Sequence, residues 1–352
     1  MCMNIMVARC TITTQLISLL VGLIIFSLLS TIGLTFHSQG ELSASDSNNF
    51  ISHPSDKDHG GGDNIISIPS KEGINLPAVT VIITAHPIPS HPSLKHLDQV
   101  MESLNLLGLP TENLPIILAC DAPKRLHEKY QQFINAVRVK YPHVNITQTE
   151  KSKGICNNMK TGFAAVQTKY VLTVQHDMPF ARPLELQAAV QVMERFPHRV
   201  KYIRFNQNVN TCRLAGCDNV DCSFYREQRF PIQIPQNYTN GCMALTRSVC
   251  WSDNNHLTTV NYYNSVVFPK CTGGAMEGVM DSYSNRETHN ITGTYIYGSL
   301  EYPWQVEHED GSETRPKNHK RRKGKDRGID YDHSQYTQKS PLISGECEQG
   351  ES

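Results

Sequence analysis

The stretch YVLTVQHD, residues 170–177, determines the fold prediction, because a run of apolar and β-branched residues leads directly into three polar ones. A short, nearly all-apolar run of this kind is typical of a strand that is covered on both faces in a parallel sheet. In such sheets, ligands bind beyond the carboxyl ends of the strands. The stretch therefore predicts a buried strand that places Gln175, His176 and Asp177 at a ligand site.

Three earlier segments repeat this pattern and alternate with amphipathic ones, in which apolar residues recur every three to four positions, the period of a helix. The predicted strands cover residues 78–84, 115–120, 144–147 and 170–174, and the predicted helices cover residues 94–107, 126–141 and 159–167. This alternation predicts an α/β fold with a mostly parallel twisted sheet, right-handed crossovers and flanking helices.

Two earlier strand ends supply further candidate residues. Thr84, Ala85 and His86 end the first strand, and Asp121 follows the second. An Asp at such a place is equally typical of a turn or a helix cap. The sequence has no GxGxxG after its first strand and no Walker-type glycine loop, which argues against a dinucleotide site and a P-loop.

The charge balance restricts the class of partner. The chain carries 33 basic and 33 acidic residues, so its formal charges cancel. No net field draws such a chain to nucleic acid, and we expect no nucleic-acid partner.

The segment Thr11–Phe36 contains 26 residues and no charged one. At about 1.5 Å per residue, a helix of this length crosses a hydrocarbon core of about 30 Å. We therefore predict a transmembrane anchor, with a cleaved signal peptide ending near Ser43–Ser45 as the alternative. Arg9 precedes the segment, whereas Glu41 and Asp46 follow it. The positive-inside tendency then predicts a single-pass type II protein of the Golgi or endoplasmic-reticulum membrane.

Composition divides the chain into segments. Three glycosylation sequons begin at Asn145, Asn237 and Asn290, and a lumenal chain is required for their use. A Ser-, Asp-, Gly- and His-rich stretch predicts a flexible stem, and the polar C-terminal run predicts disorder. The predicted organisation is a cytosolic tail at residues 1–10, the anchor at 11–36, the stem at 37–76, one folded domain at 77–310 and a disordered basic and polar tail at 311–352.

Cysteines are concentrated in the second half of the chain. Of 11 cysteines, nine follow the predicted anchor, and six of these lie between Cys212 and Cys271. In an oxidising lumen, this cluster indicates disulfides that hold the loops of that half, since its spacing does not fit a zinc site. Nine is an odd number, so at least one lumenal thiol is free or intermolecular.

Five stretches carry a family resemblance, namely VTVIITAHP, IILACDA, KSKGICNNMKTGFAAV, YVLTVQHDMPF and LELQAAVQVMERF. In this order they resemble the family 2-like glycosyltransferases, which have a GT-A nucleotide-diphospho-sugar transferase fold. The resemblance covers Val79–Phe196 and continues more weakly to His308. It implies an enzyme that moves a sugar from a nucleotide-diphospho-sugar to a glycan, lipid or protein acceptor.

The resemblance also implies a donor site. It places the nucleotide and the diphosphate against the strand ends and against the loop that opens the third helix, where a helix N-terminus suits an anion. The implied nucleotide-sugar-binding residues are Thr84, Ala85, His86, Asp121, Lys153, Gly154, Asn158, His176 and Asp177. For Lys153, a solvated surface charge is the ordinary alternative.

A divalent cation, Mn²⁺ or Mg²⁺, is implied as well, because such ions bridge the donor diphosphate in this family. The family usually has two acidic residues here, and this chain keeps Asp177 alone. A carboxylate is a suitable hard ligand, and His308 matches the place of a further metal ligand. The departure at Gln175 leaves the metal requirement open.

The resemblance places the catalytic base at Glu277, which follows a glycine-rich loop. Asp281 lies four residues on, so a helix would present both carboxylates on one face. This arrangement favours inversion at the anomeric carbon, whereas an ordinary helix cap with a solvated face is the structural alternative. Two other functions compete: a lumenal glycan- or partner-binding protein that has lost catalysis, and a membrane-anchored nucleotidyltransferase.

The predicted topology can be tested directly on intact microsomes. Because Arg9 precedes the anchor and all sequons follow it, added protease should spare everything beyond about residue 37, and glycosidase should shift the gel mobility. Detergent provides the control, since it exposes the lumenal part. Digestion of most of the chain without detergent would contradict the type II assignment.

Overall fold

A computed structural model of the chain describes residues 67–69, 75–111, 114–122, 127–150, 154–211, 222–232, 241–271, 276–309, 340–344 and 346–347. All of them belong to one unit, Asp63–Ser352. The predicted cytosolic tail and anchor, and most of the predicted stem, lie outside the described residues. Among the residues described, no helix is both long enough and apolar enough to cross a membrane.

The described strands are Ser67–Pro69 (β1), Asn75–Pro77 (β2), Val79–Ala85 (β3), Ile116–Cys120 (β4), Asn145–Gln148 (β5), Tyr170–Gln175 (β6), Tyr202–Arg204 (β7), Glu227–Pro231 (β8), Gly241–Arg247 (β9), His256–Thr259 (β10), Thr294–Tyr297 (β11) and Leu342–Ser344 (β12). The described α-helices are Lys95–Ser103 (α1), His127–Lys140 (α2), Ile155–Ala164 (α3), Leu186–Arg195 (α4), Val260–Tyr262 (α5), Met276–Tyr283 (α6) and His289–Thr292 (α7). A π-helical turn, Tyr263–Val267, follows α5 directly.

The main sheet has the order β12-β9-β11-β7-β10-β6-β3-β4-β5, and β8 also pairs with β9. β3 pairs in parallel with β4 and β6, and β4 pairs in parallel with β5. β10 lies antiparallel between β6 and β7. The register places Gln175 opposite Thr84, and Cys120 opposite Ala85. The polar residues that follow these strands therefore meet at one edge of the sheet.

This architecture confirms the predicted α/β fold, a central sheet flanked by helices. The four predicted strands appear as β3 to β6, and the three predicted helices appear as α1 to α3. The expectation of a mostly parallel sheet holds only for that first half. Beyond β6, the chain adds β8, β9, β10 and β12 in antiparallel pairs, so the whole sheet is mixed.

The two faces of the sheet bury different elements, as expected of nearly all-apolar strands. Val81 and Ile83 of β3 belong to the core cluster that holds residues of α1, α2 and α4. Ile82 belongs to the opposite cluster, with residues of α3 and α6. A Cβ on Gly162 of α3 would lie 3.0 Å from the Ala119 Cβ, so α3 packs very closely on β4.

Two short strand pairs involve the segments predicted to be a flexible stem and a disordered tail. The predicted stem ends in an antiparallel pair, β1 with β2, whose strands of three residues are too short to show a period. The predicted disordered tail contains β12, which pairs with β9, and the disulfide Cys242–Cys347 fixes the chain just beyond it. The strand has three residues, and its two apolar ones, Leu342 and Ile343, are too short a run to predict a strand within a polar segment.

The disulfides extend beyond the cysteine cluster in which they were expected. Cys271 pairs with Cys156 at the start of α3, and Cys242 pairs with Cys347. Both bonds thus join the cluster to residues outside 212–271. Cys222 and Cys250 are also disulfide-bonded, and Cys212 and Cys217 lie outside the described residues. Cys120 is free and buried in β4.

The Cys156–Cys271 bond closes a sequence separation of 115 residues and connects α3 to the segment before α6. We expect the double variant Cys156→Ala/Cys271→Ala to lose about 2–4 kcal/mol of unfolding free energy, because the bond restricts the unfolded chain. Chemical denaturation without reductant measures this loss. Cys120→Ala is the matched control, since it removes a buried thiol but no cross-link. Equal losses in both variants would contradict the prediction.

Candidate active site at the carboxyl ends of the strands

The candidate site is built around the turn that follows β6. The His176 N–H donates to the Thr84 carbonyl at 3.0 Å, and the Met178 N–H donates to the Gln175 carbonyl at 3.1 Å. These bonds hold the turn beside the end of β3. Asp177 and His176 are buried, whereas His86 is exposed at the mouth of the site.

The structure brings together the two residues predicted to bind a metal. His308 Nε2 lies 3.6 Å from Asp177 Oδ2. The segment that carries His308 is held in place because the Glu309 N–H donates to the Asp177 carbonyl at 2.9 Å, and the Glu307 N–H donates to the Pro179 carbonyl at 3.0 Å. Two residues that are 131 positions apart in the sequence thus lie side by side.

These side chains fit a divalent cation. Asp177 Oδ1 is buried and has no hydrogen-bond partner, which leaves a hard oxygen available as a ligand. His308 adds a nitrogen, which Mn²⁺ tolerates better than Mg²⁺ does. Within the described residues, no group of three or more His, Cys, Asp or Glu side chains is arranged to hold an ion. Donor phosphate and water would have to supply the other ligands.

His176 forms the inner wall of the site. Its ring lies 4.9 Å from that of His86 and 6.0 Å from that of His91, measured between centroids. Burial, with smaller contributions from His86 and His96, lowers the pKa of His176 to about 3. Its imidazole is therefore neutral at physiological pH and adds no positive charge beside Asp177.

The other predicted donor residues lie along the same edge. Ala85 accepts hydrogen bonds from the Asp121 N–H at 3.0 Å and from the Tyr130 hydroxyl at 3.1 Å. Asp121 Oδ1 accepts from the Thr149 hydroxyl at 3.1 Å, so this carboxylate is partly engaged within the fold. The contact between β3 and β4 thus places Thr84, Ala85 and Asp121 together.

Two more of the predicted donor-binding residues lie at the start of α3. Gly154 precedes α3 with φ +80°, a conformation that favours glycine. Asn158 is buried, and its Nδ2 donates to the Ala119 carbonyl at 2.8 Å, which attaches α3 to β4. Its Oδ1 is buried without a partner. Lys153 lies outside the described residues.

The loop Trp251–Asn255 borders the other side of the turn. Gln175 donates from its backbone N–H to Asn255 Oδ1 at 2.9 Å, and from its side-chain amide to the Asp253 carbonyl at 3.1 Å. Asn255 Nδ2 donates in turn to the Met178 carbonyl at 2.7 Å. The loop and the turn after β6 therefore form one hydrogen-bonded unit.

The predicted catalytic pair on α6 lies against this loop. The Ser252 hydroxyl donates to Glu277 Oε1 at 2.6 Å, and Glu277 is otherwise exposed. Asp281 accepts from the Trp251 N–H, while burial and then Glu277 raise its pKa. The structure thus brings Glu277 and Asp281 to the same loop. Their catalytic roles remain predictions.

Two residues near this pair were not predicted from the sequence. Asp253 is half-buried, and burial, followed by the charge of Glu277, raises its pKa from 3.8 to about 6. Arg204, at the end of β7, is buried, and Glu277 and Asp281 act on its charge. A charged residue inside the strand YIR was a usable sequence signal for Arg204. The run SDNN around Asp253 is typical of an ordinary turn, so it gave no signal that Asp253 lies near the site.

One family model matches the chain. The model of glycosyl transferase family 2 matches residues 87–252. No curated protein matches the chain.

Several solved structures are similar at low identity. S. aureus TarS is 12% identical, with a TM-score of 0.40, over 66% of this chain and 36% of TarS. TarS 1–349 in complex with UDP is 12% identical, with a TM-score of 0.38, over 65% of this chain and 60% of that one. The mannosyltransferase PcManGT from Pyrobaculum calidifontis, in complex with GDP-Man and Mn²⁺, is 10% identical. Its TM-score is 0.39 over 67% of this chain and 57% of PcManGT. Each match covers less than two thirds of the other protein.

The fold class and the match to residues 87–252 together support a glycosyltransferase of the GT-A kind. The recognition that the resemblance suggested is thereby confirmed at the level of family and enzyme class.

The raised pKa of Asp253 predicts a pH-dependent stability difference. Folding favours the protonated form of Asp253, so the parent protein loses stability only at pH values at which this carboxyl group is ionised. From the pKa values of about 6 and 3.8, we expect Asp253→Asn to raise the free energy of unfolding at pH 8 by up to about 3 kcal/mol, and by nothing below about pH 4. Chemical denaturation at both pH values measures the effect.

Asp98→Asn serves as the matched control for this measurement. Asp98 accepts from the Tyr141 hydroxyl at 2.6 Å and lies 2.8 Å from Lys140 Nζ, so its loss should not stabilise the fold. A loss of stability in Asp253→Asn at pH 8 would show that the carboxylate is needed for folding and would refute the prediction.

Proposed function

We propose that this chain transfers a sugar from a nucleotide-diphospho-sugar to a hydroxyl of a glycan, lipid or protein acceptor, with inversion at the anomeric carbon. The observation that supports this most is the 3.6 Å approach of His308 to the buried Asp177, at the strand edge of a family 2 domain. The proposal includes a type II membrane protein with its domain in the lumen of the Golgi or endoplasmic reticulum, which the sequence alone supports.

The donor would lie along the ends of β3, β4 and β6. Thr84, Ala85 and Asp121 would border the nucleotide, and the start of α3 would face the diphosphate with its positive dipole end. Among the similar structures, TarS was solved with UDP and PcManGT with GDP-Man.

Asp177 and His308 would hold the divalent cation. Such an ion, when bound, supplies positive charge to the diphosphate as it leaves. The chain's own contribution is to hold Asp177 rigidly, through the backbone bonds to Thr84 and Glu309 that flank it. The neutral imidazole of His176 leaves this carboxylate without a competing cation.

The acceptor would enter between the turn after β6 and α6. A carboxylate there must take the proton from the attacking hydroxyl, and Glu277 and Asp281 are the residues that the sequence assigns to this side. Because the donor and the base occupy opposite sides of the turn, attack would come from the face opposite the leaving group, which inverts the anomeric carbon.

One observation favours the second candidate, a glycan- or partner-binding protein without catalysis. Gln175 stands where the resemblance implies a carboxylate, and its amide is engaged with the Asp253 carbonyl. A chain that binds a nucleotide-sugar but does not consume it would fit this alternative.

The metal-side proposal predicts the effect of Asp177→Asn, which removes charge while nearly preserving shape. We expect transfer to fall by about two orders of magnitude or more, on the order of 3 kcal/mol in the barrier, with the fold intact. Nucleoside diphosphate release by the full chain, measured over a panel of UDP- and GDP-sugars with Mn²⁺, gives the rate. Calorimetry of Mn²⁺ binding in the presence of UDP or GDP provides a readout besides activity.

Asp98→Asn is again the matched control, because the Asp98 carboxylate contacts Tyr141 and Lys140 and none of the predicted site residues. We expect that variant to keep parental turnover and ion binding. Parental transfer by Asp177→Asn would remove the central support for this mechanism. If the parent binds a donor but releases no product, the binding protein becomes the better conclusion.

A further inference from the structure

β5 lies at one end of the main sheet, and its pairing partner is β4. Among the described strands, none pairs with its other side. An edge strand presents unpaired backbone N–H and C=O groups to solvent, and a second chain can pair with them. The residues of β5, NITQ, include no proline and no charged side chain that would block such pairing. The edge therefore needs protection of another kind.

The first residue of β5, Asn145, is also the first residue of a glycosylation sequon, and it is exposed. β5 runs parallel to β4, and β4 runs parallel to β3. Asn145 therefore lies at the amino-terminal edge of the sheet, whereas Asp177 follows the carboxyl end of β6. A bulky group on Asn145 would extend into solvent at the open strand without entering the crevice.

The third residue of this sequon, Thr147, has a hydroxyl that the fold does not use. Its Oγ1 is buried and has no hydrogen-bond partner among the described residues. A hydroxyl that leaves water without forming a hydrogen bond destabilises a fold. Valine has nearly the same shape, lacks the hydroxyl and is equally suited to a strand. Packing and hydrogen bonding thus give no reason for threonine here, whereas a sequon requires Ser or Thr at this position.

The other two sequons do not give this signal. On α7, the Thr292 hydroxyl donates to the Thr288 carbonyl at 3.2 Å, so the fold itself uses it. The sequon at Asn237 lies outside the described residues. Within the described part of the chain, Asn145 thus begins the sequon whose hydroxyl only a modification explains.

We infer that Asn145 carries an N-linked glycan and that this glycan shields the edge of β5 from pairing with another chain. The inference rests on the lumenal location that is part of the proposed function. A glycan is bulky and well solvated, so it covers an edge that the strand's own side chains leave open.

The modification needs a co-reactant, an oligosaccharide carried on a lipid diphosphate, and a transferase in the lumen that uses it. Asn145 Nδ2 forms a bond to the anomeric carbon of the oligosaccharide and loses a proton. The bond from that carbon to the diphosphate breaks, and its electron pair leaves with the diphosphate. The extended chain is the acceptor, so the burial of the Thr147 hydroxyl after folding does not prevent the reaction.

The first test asks whether Asn145 is modified in the full-length chain made in cultured animal cells. The parent, Asn145→Gln, Thr147→Val and Thr147→Ser are compared on gels with and without peptide-N-glycosidase. Asn145→Gln and Thr147→Val should each lose the mass of one glycan, whereas Thr147→Ser preserves the sequon and should keep it. Mass spectrometry of the peptide that contains Asn145 identifies the site.

A second test examines the unused hydroxyl without any glycan at Asn145. Asn145→Gln/Thr147→Val is compared with Asn145→Gln alone by thermal denaturation. We expect the double variant to unfold at the same temperature or at a higher one, because valine removes a buried hydroxyl without a partner. A lower unfolding temperature would show that the fold needs the hydroxyl and would overturn the argument from Thr147.

The third test measures self-association by sedimentation in detergent at equal protein concentrations. We expect Asn145→Gln and Thr147→Val to form about threefold or more of the parent's oligomeric fraction. Thr147→Ser should behave as the parent. Asn290→Gln is the matched control, since it removes an exposed sequon on α7 and keeps the backbone carbonyl that binds Lys201.

A charge placed on the open strand should replace the glycan's effect. Gln148, at the end of β5, is exposed. The double variant Asn145→Gln/Gln148→Lys should therefore return to the parent's oligomeric fraction, because a lysine on an edge strand opposes pairing. Sugar transfer should stay at the parental rate in all these variants, since β5 begins at the edge opposite the crevice.

The outcomes separate this inference from the proposed function. A glycan at another sequon with none at Asn145 would overturn the inference and leave the lumenal location standing. A glycan at Asn145 with parental association in both Asn145→Gln and Thr147→Val would overturn the shielding role. A parent that carries no glycan at any sequon would overturn the lumenal location, and the inference with it.

Discussion

The pairing of β6 with β3 on one side and with β10 on the other is the constraint on which the site depends. Thr84 stands opposite Gln175, so the turn after β6 must lie beside the end of β3. His256 stands opposite Thr173 in an antiparallel pair, so the residues before His256 must lie beyond the same end. One strand thus positions the carboxylate of Asp177 and the loop before His256 together.

A buried charge explains why carboxylates gather around α6. A guanidinium removed from water is costly unless opposite charges compensate it, and Arg204 is buried at the end of β7. Glu277 and Asp281 act on that charge from α6. These two carboxylates therefore help to balance Arg204, which ties them to the fold. Within the described part of the chain, no cation shifts the pKa of Asp253, so Asp253 lies outside this balance.

The parts of the fold that could be predicted from sequence are those decided by local pattern. β3, β4 and β6 are buried runs long enough to show it, and Asp177 follows from its place at a strand end. β10 is four residues long and half of it is threonine, so no pattern marks it as a strand. The proximity of Asp253 to the site depends on that antiparallel strand, and local sequence does not encode such a distant pairing. His308 was placed by resemblance alone, and its contact with Asp177 depends on backbone bonds between segments that are far apart in the sequence.

The single carboxylate of the turn has a structural reason. The Gln175 amide donates to the Asp253 carbonyl, and a carboxylate at that position has no proton to donate and would face that oxygen unfavourably. Glutamine is thus the residue that can end β6 and at the same time hold the loop of Asp253. Replacing the first acid of the usual pair removes one possible metal ligand and gains an attachment for the acceptor side. On this view, the departure at Gln175 does not mark a lost site. In the proposed function, Asp177 would serve the donor, while the Gln175 amide holds the loop that carries Asp253.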